Sequence, residues 1–186
     1  MQWLPNALTI ARTGAIVPIA ALLFCLAPEA RWVALALYVA ACLTDFLDGW
    51  LARRWQATSA LGRLLDPIAD KVLVSALIVL LVWTGDAPVI PAVLIIFREL
   101  LVSGLREHLA GYAVVIPVTR LAKWKTTLQM IAVGFLLPGT VGPELGAGIS
   151  TLAIGQVLFW LAAVLTVITG WSYLVTSLRR MNETAP

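Results

Sequence analysis

The stretch that decides the fold is DFLDGWLARRWQATSALGRLLDPIAD, residues 45–70. It carries four aspartates, Asp45, Asp48, Asp66 and Asp70, and is flanked on both sides by long apolar runs. An ionised carboxylate at bilayer depth costs on the order of +3 kcal/mol even on the lenient insertion scale. Four of them in one stretch therefore need a reason.

The composition indicates that these aspartates belong to a membrane protein. Hydrophobic residues make up 61% of the 186 residues and charged residues 12%, and the mean hydropathy is +0.94. These values are outside the range of a soluble domain. A helix needs about 20 apolar residues to cross a hydrocarbon layer of ~30 Å, and the chain offers roughly six such stretches. We therefore expect an all-α polytopic protein in which residues 1–186 form one integral domain.

The expected membrane spans are residues 6–26, 32–54, 64–84, 88–107, 124–141 and 148–178. Turn-forming residues at 27–29, 84–88 and 138–148 predict loops on one side of the membrane. Basic residues concentrate at the other connections and at the end of the chain: Arg53, Arg54, Arg63, Arg106, Arg120, Lys123, Lys125, Arg179 and Arg180. This asymmetry predicts that both termini lie in the cytoplasm. The last span is 31 residues by this count, about 46 Å long, and must tilt or project into the cytoplasm.

The four aspartates are expected to share one layer of the membrane. At about 1.5 Å per residue, counted from the basic residues that end the second and third helices, they lie roughly 5 to 14 Å below the cytoplasmic interface. Small residues and aspartates also share a face on each helix: Asp45, Asp48, Gly49 and Ala52 on the second, and Gly62, Asp66 and Asp70 on the third. The two faces predict a polar cavity that opens to the cytoplasm.

Several kinds of site can explain such a layer. Carboxylate and water oxygens suit hard divalent cations such as Mg²⁺ or Mn²⁺, and two ions neutralise four charges. The alternatives are intramembrane salt bridges, with Asp66 merely capping a helix that begins at Pro67, and a cation or proton pathway. A pathway needs polar residues on the outward side too. The acidic residues of the outward loops are only Glu29, Asp86 and Glu144, which favours an enzyme.

Residues 45–70 match every fixed position of the signature D-x-x-D-G-x-x-A-R-x8-G-x-x-x-D-x-x-x-D. The chain thereby resembles the CDP-alcohol phosphotransferase family. The resemblance implies six helices and transfer of a phosphatidyl group from a CDP-linked lipid to an alcohol, with release of CMP. It also implies a homodimer in the bacterial inner membrane, with membrane lipids and no nucleic acid as partners.

The resemblance assigns roles to the signature residues. Asp45, Asp48, Asp66 and Asp70 bind two Mg²⁺ or Mn²⁺ ions, and Asp70 is the proposed general base. The residues that hold the cytidine diphosphate of the lipid are Asp48, Gly49, Ala52, Arg53, Gly62 and Asp66.

Three further segments extend the resemblance over nearly the whole chain. They are PNALTIAR at 5–12, FREL at 97–100 with LRE at 105–107, and KWKTTLQM at 123–130. These segments favour members of the family that use CDP-diacylglycerol with glycerol 3-phosphate as the acceptor. Members that accept serine, inositol phosphate or phosphatidylglycerol remain the alternative.

An anionic acceptor needs cations. Arg98 lies near the middle of the fourth predicted helix, where an arginine requires a partner or a function. Its neighbour Glu99 points about 100° away and is not expected to be that partner. The candidate ligands of the acceptor phosphate are Arg98, Arg106, Arg120, Lys123, Lys125 and Thr9. Apart from Arg98, these basic residues also fit plain topology signals that contact anionic headgroups, and Thr9 also fits a helix cap.

Overall fold

The computed structural model describes the backbone of residues 14–25, 27–55, 60–112, 119–146 and 148–184, with side chains described for these residues except 45–70 and 182–184. Within these ranges the chain forms six main helices: α1 Ile16–Phe24, α2 Pro28–Trp55, α3 Ala60–Trp83, α4 Val89–Gly111, α5 Arg120–Leu136 and α6 Thr151–Thr184. The all-α class is thus confirmed.

The connection from α5 to α6 contains a detail that was not predicted. A 3-10 turn, Gly139–Val141, is followed by two short strands, β1 Glu144–Leu145 and β2 Ile149–Ser150. The strands pair antiparallel, with Glu144 opposite Ser150. The loop expected here is therefore a small hairpin.

Two helix boundaries differ from the sequence prediction for identifiable reasons. Helix α3 begins at Ala60, so Pro67 lies inside the helix and the alternative that Asp66 caps a helix starting there is wrong. Helix α5 begins at Arg120 because the Thr119 hydroxyl accepts a hydrogen bond from the Ala122 amide at 3.3 Å. It ends at Leu136, just before Pro138, which cannot continue a helix.

Helix α6 is the longest element. It has 34 residues, about 51 Å at 1.5 Å per residue, and packs along α5 and α4. Its approach to α5 is close at Gly155, where an added β-carbon would lie 3.0 Å from Cδ2 of Leu136. Among the described helices, the stretch Thr151–Met181 is long and apolar enough to cross a membrane.

The core and the surface are both apolar. Leu77 of α3, Ile95 of α4, Val133 of α5 and Phe159 of α6 are fully buried where the helices meet. Large apolar side chains also cover much of the outside, and on α6 alone the exposed ones include Val157, Trp160, Leu161, Val164, Val167, Ile168 and Trp171. An apolar exterior of this extent is the kind that a bilayer or another protein covers.

One end of the bundle is held by a polar cluster between the loops. Arg31 at the start of α2 donates from Nη1 to Oδ2 of Asp86 at 2.5 Å and to the Leu137 carbonyl at 3.4 Å. Gln156 of α6 donates to the Asp86 carbonyl at 3.1 Å. The three loops predicted to share one side therefore do meet at one end of the helices. Gly139, at φ +59°, makes room there, because a β-carbon would lie 2.6 Å from the guanidinium of Arg31.

Candidate functional site

The aspartate signature lies on two consecutive helices. Residues 45–55 form the end of α2 and residues 60–70 the start of α3. The side chains of residues 45–70 and the connection at 56–59 fall outside the described part of the structure. The facing layer of aspartates therefore stays a prediction, while the helical backbone that it requires is present.

A charged cluster stands next to this signature, and Glu99 of α4 is at its centre. Glu99 Oε1 accepts from Lys125 Nζ of α5 and from Nη1 of Arg98 at 3.2 Å. Lys125 is buried, with a side-chain exposure of 2%. A buried ammonium needs a carboxylate partner and further hydrogen bonds to be tolerated. Glu99 supplies that partner and links α4 to α5.

The backbone of the same residue joins a second lysine to the cluster. Ser103, one turn further along α4, donates to the Glu99 carbonyl at 2.5 Å. Its hydroxyl oxygen accepts in turn from Lys71 Nζ of α3. Residue 99 is thus linked to Lys125 through its side chain and to Lys71 through its main chain.

Arg98 lies behind Glu99, against α6. Its Nη2 is 3.5 Å from Thr169 Oγ1, and a β-carbon added at Gly170 would lie 2.8 Å from Cγ of Arg98. The expectation that Glu99 is not the partner of Arg98 is therefore wrong. The Cβ directions do diverge, but both side chains are long enough for the guanidinium to reach the neighbouring carboxylate.

Three members of the cluster, Lys71, Glu99 and Lys125, line a cavity of about 270 Å³ between α2, α3, α4 and α5. Tyr38 and Cys42 line it from α2, and its charged lining residues are Lys71, Glu99, Arg106 and Lys125. Cys42 lies one turn before Asp45, and Lys71 directly follows Asp70. The cavity therefore adjoins the signature on both helices.

The cavity brings together some of the predicted acceptor ligands and not others. Arg106 and Lys125 belong to its lining. Arg98 stands outside that lining, one layer further back. Arg120 and Lys123 are solvent-exposed on the first turn of α5 and are likewise absent from the described lining. Thr9 falls outside the described residues.

The described part of the lining carries a positive charge. Three of its described residues, Lys71, Arg106 and Lys125, are cationic and one, Glu99, is anionic, which leaves a net charge of two. Positive groups in a partly buried cleft concentrate anions and bind them more strongly than they would in water. The arrangement is suited to a phosphate group.

Two members of this cluster were missed at the sequence level. Lys71 could have been identified from the sequence, since a lysine that precedes an apolar run and lies at bilayer depth requires a partner. Helical angle alone argued against Glu99 as the partner of Arg98. The pairing of Glu99 with Lys125 joins residues 26 positions apart, and helical periodicity says nothing about such a contact.

Comparison with known proteins agrees with the signature. Residues 2–168 match the family described as CDP-alcohol phosphatidyltransferase. A protein of Rickettsia bellii is 46% identical over 91% of this chain and 92% of its own length. Another from Cereibacter sphaeroides is 40% identical over 98% and 99%, and one from Bacillus subtilis is 36% identical over 91% and 92%. All three are named CDP-diacylglycerol–glycerol-3-phosphate 3-phosphatidyltransferase. The family match spans most of the chain, including residues 45–70, and the chain belongs to the CDP-alcohol phosphatidyltransferase family.

Proposed function

We propose that the protein transfers the phosphatidyl group of CDP-diacylglycerol to glycerol 3-phosphate and releases CMP, which is the phosphatidylglycerophosphate synthase reaction. Membership of the family supports the transfer chemistry, and the names of the relatives support the acceptor. The observation that carries the proposal is the cationic cavity next to the signature. The cavity supplies the positive charge that a phosphorylated acceptor needs, and it lies beside the signature that binds the phosphorus of the lipid.

The residues of the signature fit a divalent metal. Four carboxylates with no histidine or cysteine among them are a donor set for Mg²⁺ or Mn²⁺, and two ions balance their charge. We assign Asp45, Asp48, Asp66 and Asp70 as the ligands. When bound, the metal supplies electrostatic stabilisation of the pyrophosphate and of the departing CMP.

The other signature residues bind the donor lipid. We assign Gly49, Ala52 and Gly62 to the cytidine diphosphate pocket, because side chains this small let a ligand approach the helix backbone. Arg53 and the aspartates at 48 and 66 complete that pocket. The acyl chains stay in the bilayer beside it.

The reaction needs a base and a fixed acceptor. Asp70 takes the proton from the acceptor hydroxyl as the hydroxyl oxygen attacks the phosphorus of the lipid. A new oxygen–phosphorus bond forms, and CMP leaves with the electrons of the bond that breaks. Lys125 and Arg106 hold the phosphate of the acceptor, so that its hydroxyl approaches from the cavity. Lys71 adds positive charge on the side next to Asp70.

The remaining basic residues have a different role in this proposal. Arg120 and Lys123, exposed at the start of α5, contact anionic headgroups at the cytoplasmic interface. Thr9 stays a candidate ligand of the acceptor phosphate. Residues 1–186 form one domain with six spans and both termini in the cytoplasm, located in the bacterial inner membrane as a homodimer.

The test is an acceptor assay on the purified protein. It is given CDP-diacylglycerol, Mg²⁺ and, in turn, glycerol 3-phosphate, serine, inositol phosphate or phosphatidylglycerol, and CMP release is measured. We expect release with glycerol 3-phosphate. Release with another acceptor alone would assign a sister reaction, and no release with any of them would contradict the enzymatic proposal.

A further inference from the structure

We propose that Glu99 and Arg98 are positioning residues that hold Lys125 in the acceptor cavity, and that Arg98 acts through Glu99 and does not touch the acceptor phosphate. The inference rests on the proposed function, because it assigns to the cavity the phosphate of the acceptor. It revises the role that the sequence predicts for Arg98.

The first step is the shared oxygen. Lys125 of α5 and Arg98 of α4 both donate to Oε1 of Glu99. A lysine has a flexible four-carbon stem and a point charge, so its ammonium does not hold one place without a fixed partner. Glu99 is that partner and orients Lys125 at the cavity wall.

The second step is the position of Arg98. Its guanidinium is occupied by Glu99 at Nη1 and by Thr169 at Nη2, and its stem is packed against Gly170. These contacts direct the head of Arg98 along the α4–α6 contact. Arg98 therefore fixes the carboxylate from behind, while Lys125 faces the ligand.

The third step concerns the cost of this arrangement. Arg98 Nε is buried and finds no hydrogen-bond partner among the described residues. A buried donor left unpaired is destabilising, so stability alone is a poor reason for an arginine here. A function in placing Glu99 explains it.

The fourth step is the link to Lys71. The Glu99 carbonyl holds Ser103, and Ser103 holds Lys71. Two lysines that would repel each other are thus tied to one residue, whose carboxylate reduces that repulsion. Loss of the carboxylate should move Lys125 most, since the lysine at 71 depends on the main chain.

The proposal is tested by a double-mutant cycle with Glu99→Gln and Arg98→Met, made singly and together. Measured quantities are kcat and the KM values for glycerol 3-phosphate and for CDP-diacylglycerol. We expect each single variant to raise the KM for glycerol 3-phosphate about 10-fold to 100-fold, with the KM for the lipid unchanged. We expect the double variant to resemble Glu99→Gln alone. Glu99→Asp should recover part of the loss, because it restores the charge at a shorter reach.

Matched controls separate positioning from general damage. Glu107→Gln makes the same change at an exposed site on the same helix, and Arg179→Met does so at an exposed arginine of α6. Both should leave the kinetic constants unchanged. Thermal unfolding in detergent shows whether each variant folds, and Arg98→Lys replaces Arg98→Met if the latter does not.

Two results would overturn the proposal. A double variant whose KM for glycerol 3-phosphate rises by the product of the two single effects would mean that Arg98 contacts the acceptor directly. Equal changes in both KM values would mean a general structural role. A second readout does not need turnover: stabilisation of the protein by inorganic phosphate should weaken equally in Glu99→Gln and in the double variant. If the wild type uses no glycerol 3-phosphate, the proposed function fails, and the phosphate titration still decides the positioning role.

Discussion

Gly170 of α6 lies directly against the side chain of Arg98 on α4, so that a β-carbon at residue 170 would stand 2.8 Å from Cγ of the arginine. This glycine is needed for a close approach and is not in a turn. The neighbouring Thr169 contacts the guanidinium of the same arginine. One turn of α6 thereby fixes the position of the Arg98 side chain in the charged cluster of α4. No described residue of α6 belongs to the cavity lining.

Gly170→Ala should therefore affect the acceptor more than the lipid. The added methyl group must displace the stem of Arg98, because Cγ is close to the backbone and has little freedom to move. We expect the KM for glycerol 3-phosphate to rise several-fold and stability to fall by about 1–3 kcal/mol, as is typical of overpacking. Gly155→Ala is the matched control. Gly155 is on the same helix as Gly170, but the added methyl group would crowd Leu136 of α5, away from the cavity. It should lower the unfolding temperature and leave the KM unchanged; a KM effect of equal size there would contradict the reasoning.

Asp70→Asn should abolish turnover. The amide keeps the size of the side chain but has no basicity, so the acceptor hydroxyl keeps its proton. CMP release should fall by at least about 100-fold, the lower range of a general-base contribution. Membrane insertion and the unfolding temperature of the purified variant should match the wild type. Substantial activity in Asp70→Asn would remove this residue from the role of base.

Removal of divalent metal should stop the reaction reversibly. Chelation with EDTA leaves the proposed carboxylate layer without its compensating charge and without the stabilisation of the leaving CMP. We expect activity to return when Mg²⁺ or Mn²⁺ is added back in excess. The measurement is CMP release before chelation, after it, and after readdition. Full activity in EDTA would exclude the metal role of the aspartates.

The Arg31–Asp86 pair should support stability and not the acceptor site. It belongs to the loop contacts, at the end of the helices away from the cavity, and Thr84 Oγ1 donates to the same carboxylate oxygen at 2.5 Å. Breaking a buried pair from one side leaves an uncompensated charge and costs roughly 3 kcal/mol. Arg31→Met should therefore lower the unfolding temperature clearly without changing the KM for glycerol 3-phosphate.

The double variant Arg31→Met with Asp86→Asn sharpens this test. Since no charge is left unpaired, it should be more stable than Arg31→Met alone. Additive losses in the double variant would show that the two residues act independently. A changed KM would show that this end of the bundle communicates with the cavity.

The sequence by itself determined the class of fold and the reaction family. Helix formation and the choice between apolar and polar surroundings depend on residues close together in the chain, so six helices could be predicted from periodicity and composition. The spacing of the aspartates matches a family signature, and that resemblance implied the reaction. The loops that meet through Arg31 and Asp86 followed from their shared turn residues and charge. Periodicity, composition, turn residues and charge are local properties of the chain, and they can be read without knowledge of the packing.

Only the tertiary structure decided which of the basic residues line the cavity. The sequence predicts the same role, binding of the acceptor phosphate, for Arg98, Arg106, Lys125 and Arg120. In the structure the first lies behind the cavity, the next two line it, and the last is exposed. The physical reason is that a salt bridge between α4 and α5, and a glycine on α6 that admits an arginine stem, are contacts between distant segments. Their energies depend on distance and burial, which the order of residues does not contain.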